Sequence, residues 1–171
     1  MTAKTPNESL TIQTEIVMPN DTNTLGNLFG GRLMLWMDVV AAISAQRHSR
    51  KVVVTASVNN VSFNQPIKLA DIVTLEAKVS RSFKSSMEVI IDVFVEDHKT
   101  GERKKCNEAI YTFVAIGDDG KACPVPEIIP ETDLEKARYD AALRRRQLSL
   151  ILAGKMKPDE ALELKKLFWN E

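Results

Sequence analysis

Residues 27–46 read NLFGGRLMLWMDVVAAISAQ, and this stretch limits the possible folds more than any other. It is too long for an ordinary strand and apolar around most of its circumference, which predicts a helix buried on several sides. Such a helix needs other elements to wrap it, and the remainder of the chain supplies mostly strands. KVVVTASVNNVSF, DIVTLEAKVSRSF, SMEVIIDVFVED and CNEAIYTFVAIG are rich in Val, Ile, Thr and Phe and are separated by short polar turns. An earlier run, LTIQTEIV, alternates as a strand does. Short connections imply mostly antiparallel neighbours. Helices and strands do not alternate as a doubly wound fold requires. The expected class is therefore α+β: a long central helix wrapped by a curved antiparallel sheet.

Around this unit the chain divides into three expected parts. Residues 1–8 form a polar tail expected to be mobile, residues 9–130 the helix-and-sheet domain, and residues 131–171 a helical extension. MPNDTNTLGN reads as a loop, and GDDGKACPVPEIIPET as an extended crossing segment. DLEKARYDAALRRRQLSLILAG has helical spacing, and KPDEALELKKLFWN reads as a short last helix with Pro158 in its first turn. The extension is either a packing arm or an oligomer contact.

Lysine plus arginine and aspartate plus glutamate number 23 each, so no global charge argues for nucleic acid or an anionic membrane. The first residues, MTAKTPNESL, lack an apolar signal core, and the longest apolar run is interrupted by Asp38 and too short to span a bilayer. A soluble, cytoplasmic protein is expected. Cys106 and Cys123 have no partner at metal-ligand spacing and read as structural thiols. His48 and His98 are isolated and read as surface residues, which leaves a nucleophilic triad without support.

Asp38 is the anomaly in the helix. A buried carboxylate is costly without partners, and its helical neighbours at three and four residues, Met34, Leu35, Ala41 and Ala42, cannot bond to it. It either pairs with a distant group or serves as a general base or nucleophile. Gly30 and Gly31, where the helix begins, allow close backbone approach at the positive end of the helix dipole. They suit either an oxyanion hole or simply close packing. Asp38 lies eight residues after Gly30, roughly 12 Å along a helix. One carbonyl cannot touch both within a single helix, so joint action would require two chains related by a two-fold axis.

The residues MPNDTNTLGNLFGGRLMLWMDVVAAISAQRH, then VVTASVNNVSFNQPIKLADIVTLEAKV, SSMEV, NEAIYTFVAI and PVPEIIP, resemble the hotdog-fold acyl-CoA thioesterases of the cytosolic acyl-CoA hydrolase type. The resemblance runs over about residues 12–130. It implies a homodimer sharing a continuous sheet, commonly assembled as a trimer of dimers. It also implies hydrolysis of fatty acyl-CoA to free acid and CoA, with CoA present as part of substrate and product and no metal or other cofactor. Asp38 matches the family's catalytic carboxylate and Asn23 its catalytic asparagine, meeting across the dimer. The N–H of Gly31, and with it that of Gly30, would hold the oxyanion. Lys84, Ser85 and Ser86 align with a turn the family uses near CoA, although an ordinary hairpin turn has the same composition. Arg144, Arg145 and Arg146 read as a solvated helix face. Arg32 and Ala70 depart from the family pattern at positions where a less charged residue and a glycine are common. The alternatives are a non-catalytic acyl-CoA sensor, a hotdog dehydratase, for which His48 is misplaced, and a structural oligomerisation domain.

Overall fold

A computed structural model describes residues 1–59, 61 and 65–168. The apolar runs form β1 (Thr11–Ile16), β2 (Val52–Asn59), β3 (Ile72–Ser82), β4 (Ser86–Glu96) and β5 (Arg103–Ile116). All pair antiparallel, in the order β1-β3-β4-β5-β2. Period-two alternation puts Leu75 and Val79 of β3, Val89 and Ile91 of β4, and Ala109 and Phe113 of β5 on one buried face. Against it lies α1 (Gly30–Ser49), with Leu33, Met37, Val40 and Ala41 turned inward. This is the expected curled sheet around a long helix. Strand β5 starts earlier than expected, because Arg103 and Lys104 continue the hairpin opposite Glu96 and Val95. Residues 60 and 62–63 of the second expected strand, and 169–170 of the last expected helix, lie outside the described residues.

The expectation that α1 is buried on several sides needs correction. Only one seam faces the sheet, and Met34, Leu35, Val39 and Ile43 are 38 to 50% exposed. They border β2, an edge strand on which Val52, Val54 and Val58 are also exposed. Apolar composition made the helix look enclosed, but within one chain the sheet can cover only one side of it.

A second long helix, α2 (Asp133–Leu152), lies on the opposite face of the sheet. The solvated arginine face expected there is also corrected. Arg145 makes a two-pronged pair with Glu88, which is 4% exposed, at 2.7 and 2.9 Å. Arg146 donates to Ser86 and stacks on Phe83. Arg138 reaches Asp92, and Lys78 reaches Glu135. Beyond α2, the single final helix expected from residue 157 is a 3-10 turn, Pro158–Glu160, followed by the short α3 (Leu162–Lys165).

The N-terminal tail is docked from residue 4. The Lys4 N–H bonds to Glu127 O at 2.9 Å, and Pro6 and Ser9 are buried. His48 is not a surface residue either: it is fully buried, with Nε2 2.8 Å from the carbonyl of Pro126. Burial lowers its pKa and keeps the imidazole neutral. Both corrections share a cause, since the proline-rich 124–130 segment folds back over the end of α1 and supplies backbone partners. Among the described residues no helix is long and apolar enough to cross a membrane.

Candidate functional site

The loop before α1 is built on carboxylate and carboxamide turns. Asp21 Oδ2 accepts the N–H of Met18, and its Oδ1 pairs with Arg32 Nε at 2.7 Å. The family-unusual Arg32 thus ties the first turn of α1 to the loop. Asn23 Oδ1 accepts from the N–H groups of Leu25 and Asn27 at 2.9 and 3.2 Å. Its acceptor is committed to the turn, so the NH2 is the group left to donate.

The helix starts without a side-chain cap. Phe29 occupies the N-cap and its side chain has no acceptor to offer, and the N–H groups of Gly30 and Gly31 make no hydrogen bond among the described residues. Orphan donors at a helix start suit an anion or a polarised carbonyl oxygen. Asn23 and Gly30 line one cavity of about 460 Å³, together with Leu28, Leu33, Ile67 and Asn107. Gly31 is adjacent in the same turn. A Cβ there would meet only the ring of Phe29, at 3.1 and 3.3 Å, so space alone does not require this glycine.

Asp38 does not line that cavity. Part-exposed rather than buried, it sits on the outward side of α1, and Thr55 of β2 donates to its Oδ1 at 2.8 Å. Thr55 precedes an irregularity in the β2–β5 register, between Thr55 and Ser57, which re-aims the strand there. Sequence reasoning missed Thr55, for a threonine in a β run carries no signal of its own. Buried beneath the same turn, Tyr111 donates to the carbonyl of Met34 at 3.3 Å. Burial, with a smaller push from the Asp38 charge, raises the Tyr111 hydroxyl to about 12. It stays a donor and braces the turn that carries Asp38.

The β3–β4 turn lies apart from these groups. Lys84 is exposed and Ser85 half-buried, whereas Ser86 is buried and its hydroxyl accepts from Arg146 at 3.0 Å. Within one chain, then, the structure brings together Asn23 and Gly30, pairs Asp38 with Thr55, and leaves residues 84–86 separate.

Residues 25–102 match the thioesterase superfamily. The uncharacterized acyl-CoA thioester hydrolase YkhA of Bacillus subtilis is 44% identical over 138 residues, 81% of this chain and 80% of the relative. A hexameric acyl-CoA thioesterase solved without ligand has a TM-score of 0.86 and 37% identity, covering 90% of this chain and 98% of that one. An acyl-CoA hydrolase of Staphylococcus aureus, in complex with butyryl coenzyme A and coenzyme A, has a TM-score of 0.83 and 38% identity, covering 90% and 95%. That hydrolase has also been solved with an aspartate, an asparagine or a threonine replaced by alanine, at TM-scores of 0.83, 0.84 and 0.80. The uncapped start of α1, the cavity beside it and the sheet curled around the helix accompany these similarities, and the chain belongs to the hotdog-fold acyl-CoA thioester hydrolases of the thioesterase superfamily.

Proposed function

We propose that this hydrolase cleaves fatty acyl-CoA to free acid and CoA at a site completed by two copies of the chain. The carrying observation is the separation of Asn23 and Gly30, which share a cavity, from Asp38, which lies on the uncovered apolar side of α1. A second copy packed on that side along the β2 edge would cover Leu35, Val39 and Val54 and bring its Asp38 to this chain's Asn23. The staphylococcal variants support the assignment. The replaced asparagine, aspartate and threonine are separated by 15 and 17 residues, the same intervals that separate Asn23, Asp38 and Thr55. Similar thioesterases are hexameric, in keeping with a trimer of such dimers.

In this reading the Thr55 hydroxyl holds one oxygen of Asp38, and the other takes a proton from water. That water attacks the thioester carbonyl carbon. The Asn23 NH2 and the N–H groups of Gly30 and Gly31 hold the developing oxyanion. The C–S bond then breaks, and CoA leaves as a thiolate that is protonated to the thiol. Lys84 and Ser85 present an exposed ammonium and a hydroxyl to the CoA phosphates, with Ser86 held in place by Arg146.

Thiol release from acyl-CoAs by wild type and Asp38→Asn tests the chemistry. The variant should fall by about 10²- to 10⁴-fold, and an unimpaired variant would remove Asp38 from the mechanism. Mixing Asp38→Ala with Asn23→Ala chains should restore activity through mixed dimers. No recovery after demonstrated subunit exchange would rule out the shared site.

A further inference from the structure

Among the described residues only two carboxylates are buried, Glu88 beneath α2 and Asp21 in the loop before α1. Burying a carboxylate is costly unless its oxygens find partners. Asp21 Oδ2 accepts the Met18 N–H at 3.1 Å and Oδ1 accepts Arg32 Nε at 2.7 Å, while the main-chain carbonyl accepts the Phe29 N–H at 2.8 Å. Phe29 and Arg32 are the N-cap and a first-turn residue of α1. Asp21 is therefore the point at which the loop is fastened to the helix that begins with Gly30 and Gly31.

Asn23 stands two residues further on, and its own hydrogen bonds stay within the turn, to Leu25, Gly26 and Asn27. The turn is also tied to residues 67–69, by the Leu28 N–H on the carbonyl of Ile67 at 2.7 Å and the Leu69 N–H on the carbonyl of Gly26 at 3.3 Å. Those bonds do not involve Arg32, so the loop persists without it. On the helix side, however, Asp21 then keeps only the Phe29 N–H, and its Oδ1 is left without its cation. We propose that Arg32 is a positioning residue: through Asp21 it fixes the Asn23 carboxamide relative to the N–H groups of Gly30 and Gly31, and hydrolysis depends on it only by way of Asn23. This inference rests on the reading of Asn23 as a group that acts on the thioester.

The test is kcat and KM for butanoyl- and palmitoyl-CoA with Arg32→Met, Arg32→Lys, Asn23→Ala and the double variant Arg32→Met with Asn23→Ala. A displacement of about 1 Å at the reacting atoms can cost about 10²-fold in rate. Arg32→Met should accordingly lower kcat by about ten-fold or more with KM little changed. Arg32→Lys keeps a cationic donor within reach of Asp21 and should retain most of kcat. In the Asn23→Ala background Arg32→Met should cost nothing further, because residues that act through one another are not additive. The same loss in both backgrounds would overturn the inference, for Arg32 would then act through general stability or through its own charge. A lysine variant as slow as the methionine one would also overturn it. If Arg32→Met does not melt cooperatively, Asp21→Asn, which keeps the shape and removes the charge from the other partner, takes its place in the same cycle with the same expected outcomes. An Asn23→Ala variant as active as wild type would instead overturn the reading of Asn23 itself.

Discussion

The two long helices, α1 and α2, are each 20 residues and lie on opposite faces of one sheet, yet they are held by different physics. α1 is seated by hydrocarbon: Leu33, Met37, Val40 and Ala41 pack onto the alternating apolar face of β3, β4 and β5. α2 is seated by charge, through Arg145 on Glu88, Arg138 on Asp92 and Glu135 beside Lys78. Their starts differ in the same sense. Thr132 caps α2 in a reciprocal box, accepting the N–H of Glu135 while Glu135 accepts the N–H of Thr132, but α1 begins at Phe29 with no cap. The helix that only packs satisfies one first-turn donor, the N–H of Glu135, with its own cap side chain. α1, which carries the candidate site, has no cap side chain to take up any of its first N–H groups, in keeping with the oxyanion role proposed for them.

The largest stability change should come from unpairing the ionic seam. Arg145→Leu leaves the buried Glu88 carboxylate without its cation and should cost about 4 kcal/mol in denaturant unfolding, whereas Glu88→Leu with Arg145→Leu should come back close to wild type. A double variant as unstable as the single one would show that charge is not what matters there. In the apolar seam, Met37→Ala should cost about 3 kcal/mol by the same measurement, and no compensating partner change exists.

Capping should sort the two starts by role. Thr132→Ala should destabilise by about 1 kcal/mol with hydrolysis unchanged. Phe29→Asp, which adds a side-chain acceptor at the start of α1, should stabilise the helix yet slow hydrolysis by about ten-fold if it takes up the donors proposed for the oxyanion. Faster or equal turnover by Phe29→Asp would break the contrast. The smallest effect should appear at the other ends. Arg50, at φ 56, closes α1 in the left-handed region where α2 is followed by Gly154 at φ 67. Arg50→Gly should gain about 0.5 kcal/mol, and Gly154→Ala should lose about 1 kcal/mol.

Acid should release the two helices in turn. Burial lowers the pKa of His48 at the end of α1, so its contribution is whole above the unfolded value of about 6.5 and is lost as pH falls below it. For Asp92, burial opposes ionisation, but the Lys105 hydrogen bond and the Arg138 charge hold its pKa below the ordinary value. Burial likewise opposes the backbone N–H groups of Thr132 and Glu131 that hold Glu135 down. Their contribution is whole above the unfolded carboxylate value of about 4 and fades below it. Hydrogen exchange at decreasing pH should therefore show the end of α1 and residues 124–130 loosening before α2; the reverse order would contradict these assignments.

Much of this was legible in residue patterns. The period-two runs specify five strands and the apolar stretch specifies α1, while Gly30, Gly31 and Asp38 are singled out by type and spacing. The 12 Å argument anticipates that Asp38 and Gly30 do not share a cavity in one chain. What tertiary structure alone decided is which polar groups meet: Thr55 with Asp38 across 17 residues, Arg145 with Glu88 across 57, and His48 with Pro126 across 78. The reason is directional. Burial of hydrocarbon depends on area and tolerates small shifts, so periodicity is enough to assign it. A hydrogen bond or ion pair needs two atoms within about 3 Å at a favourable angle, and only the strand register, its bulges and the fold-back of the proline segment determine where those atoms lie.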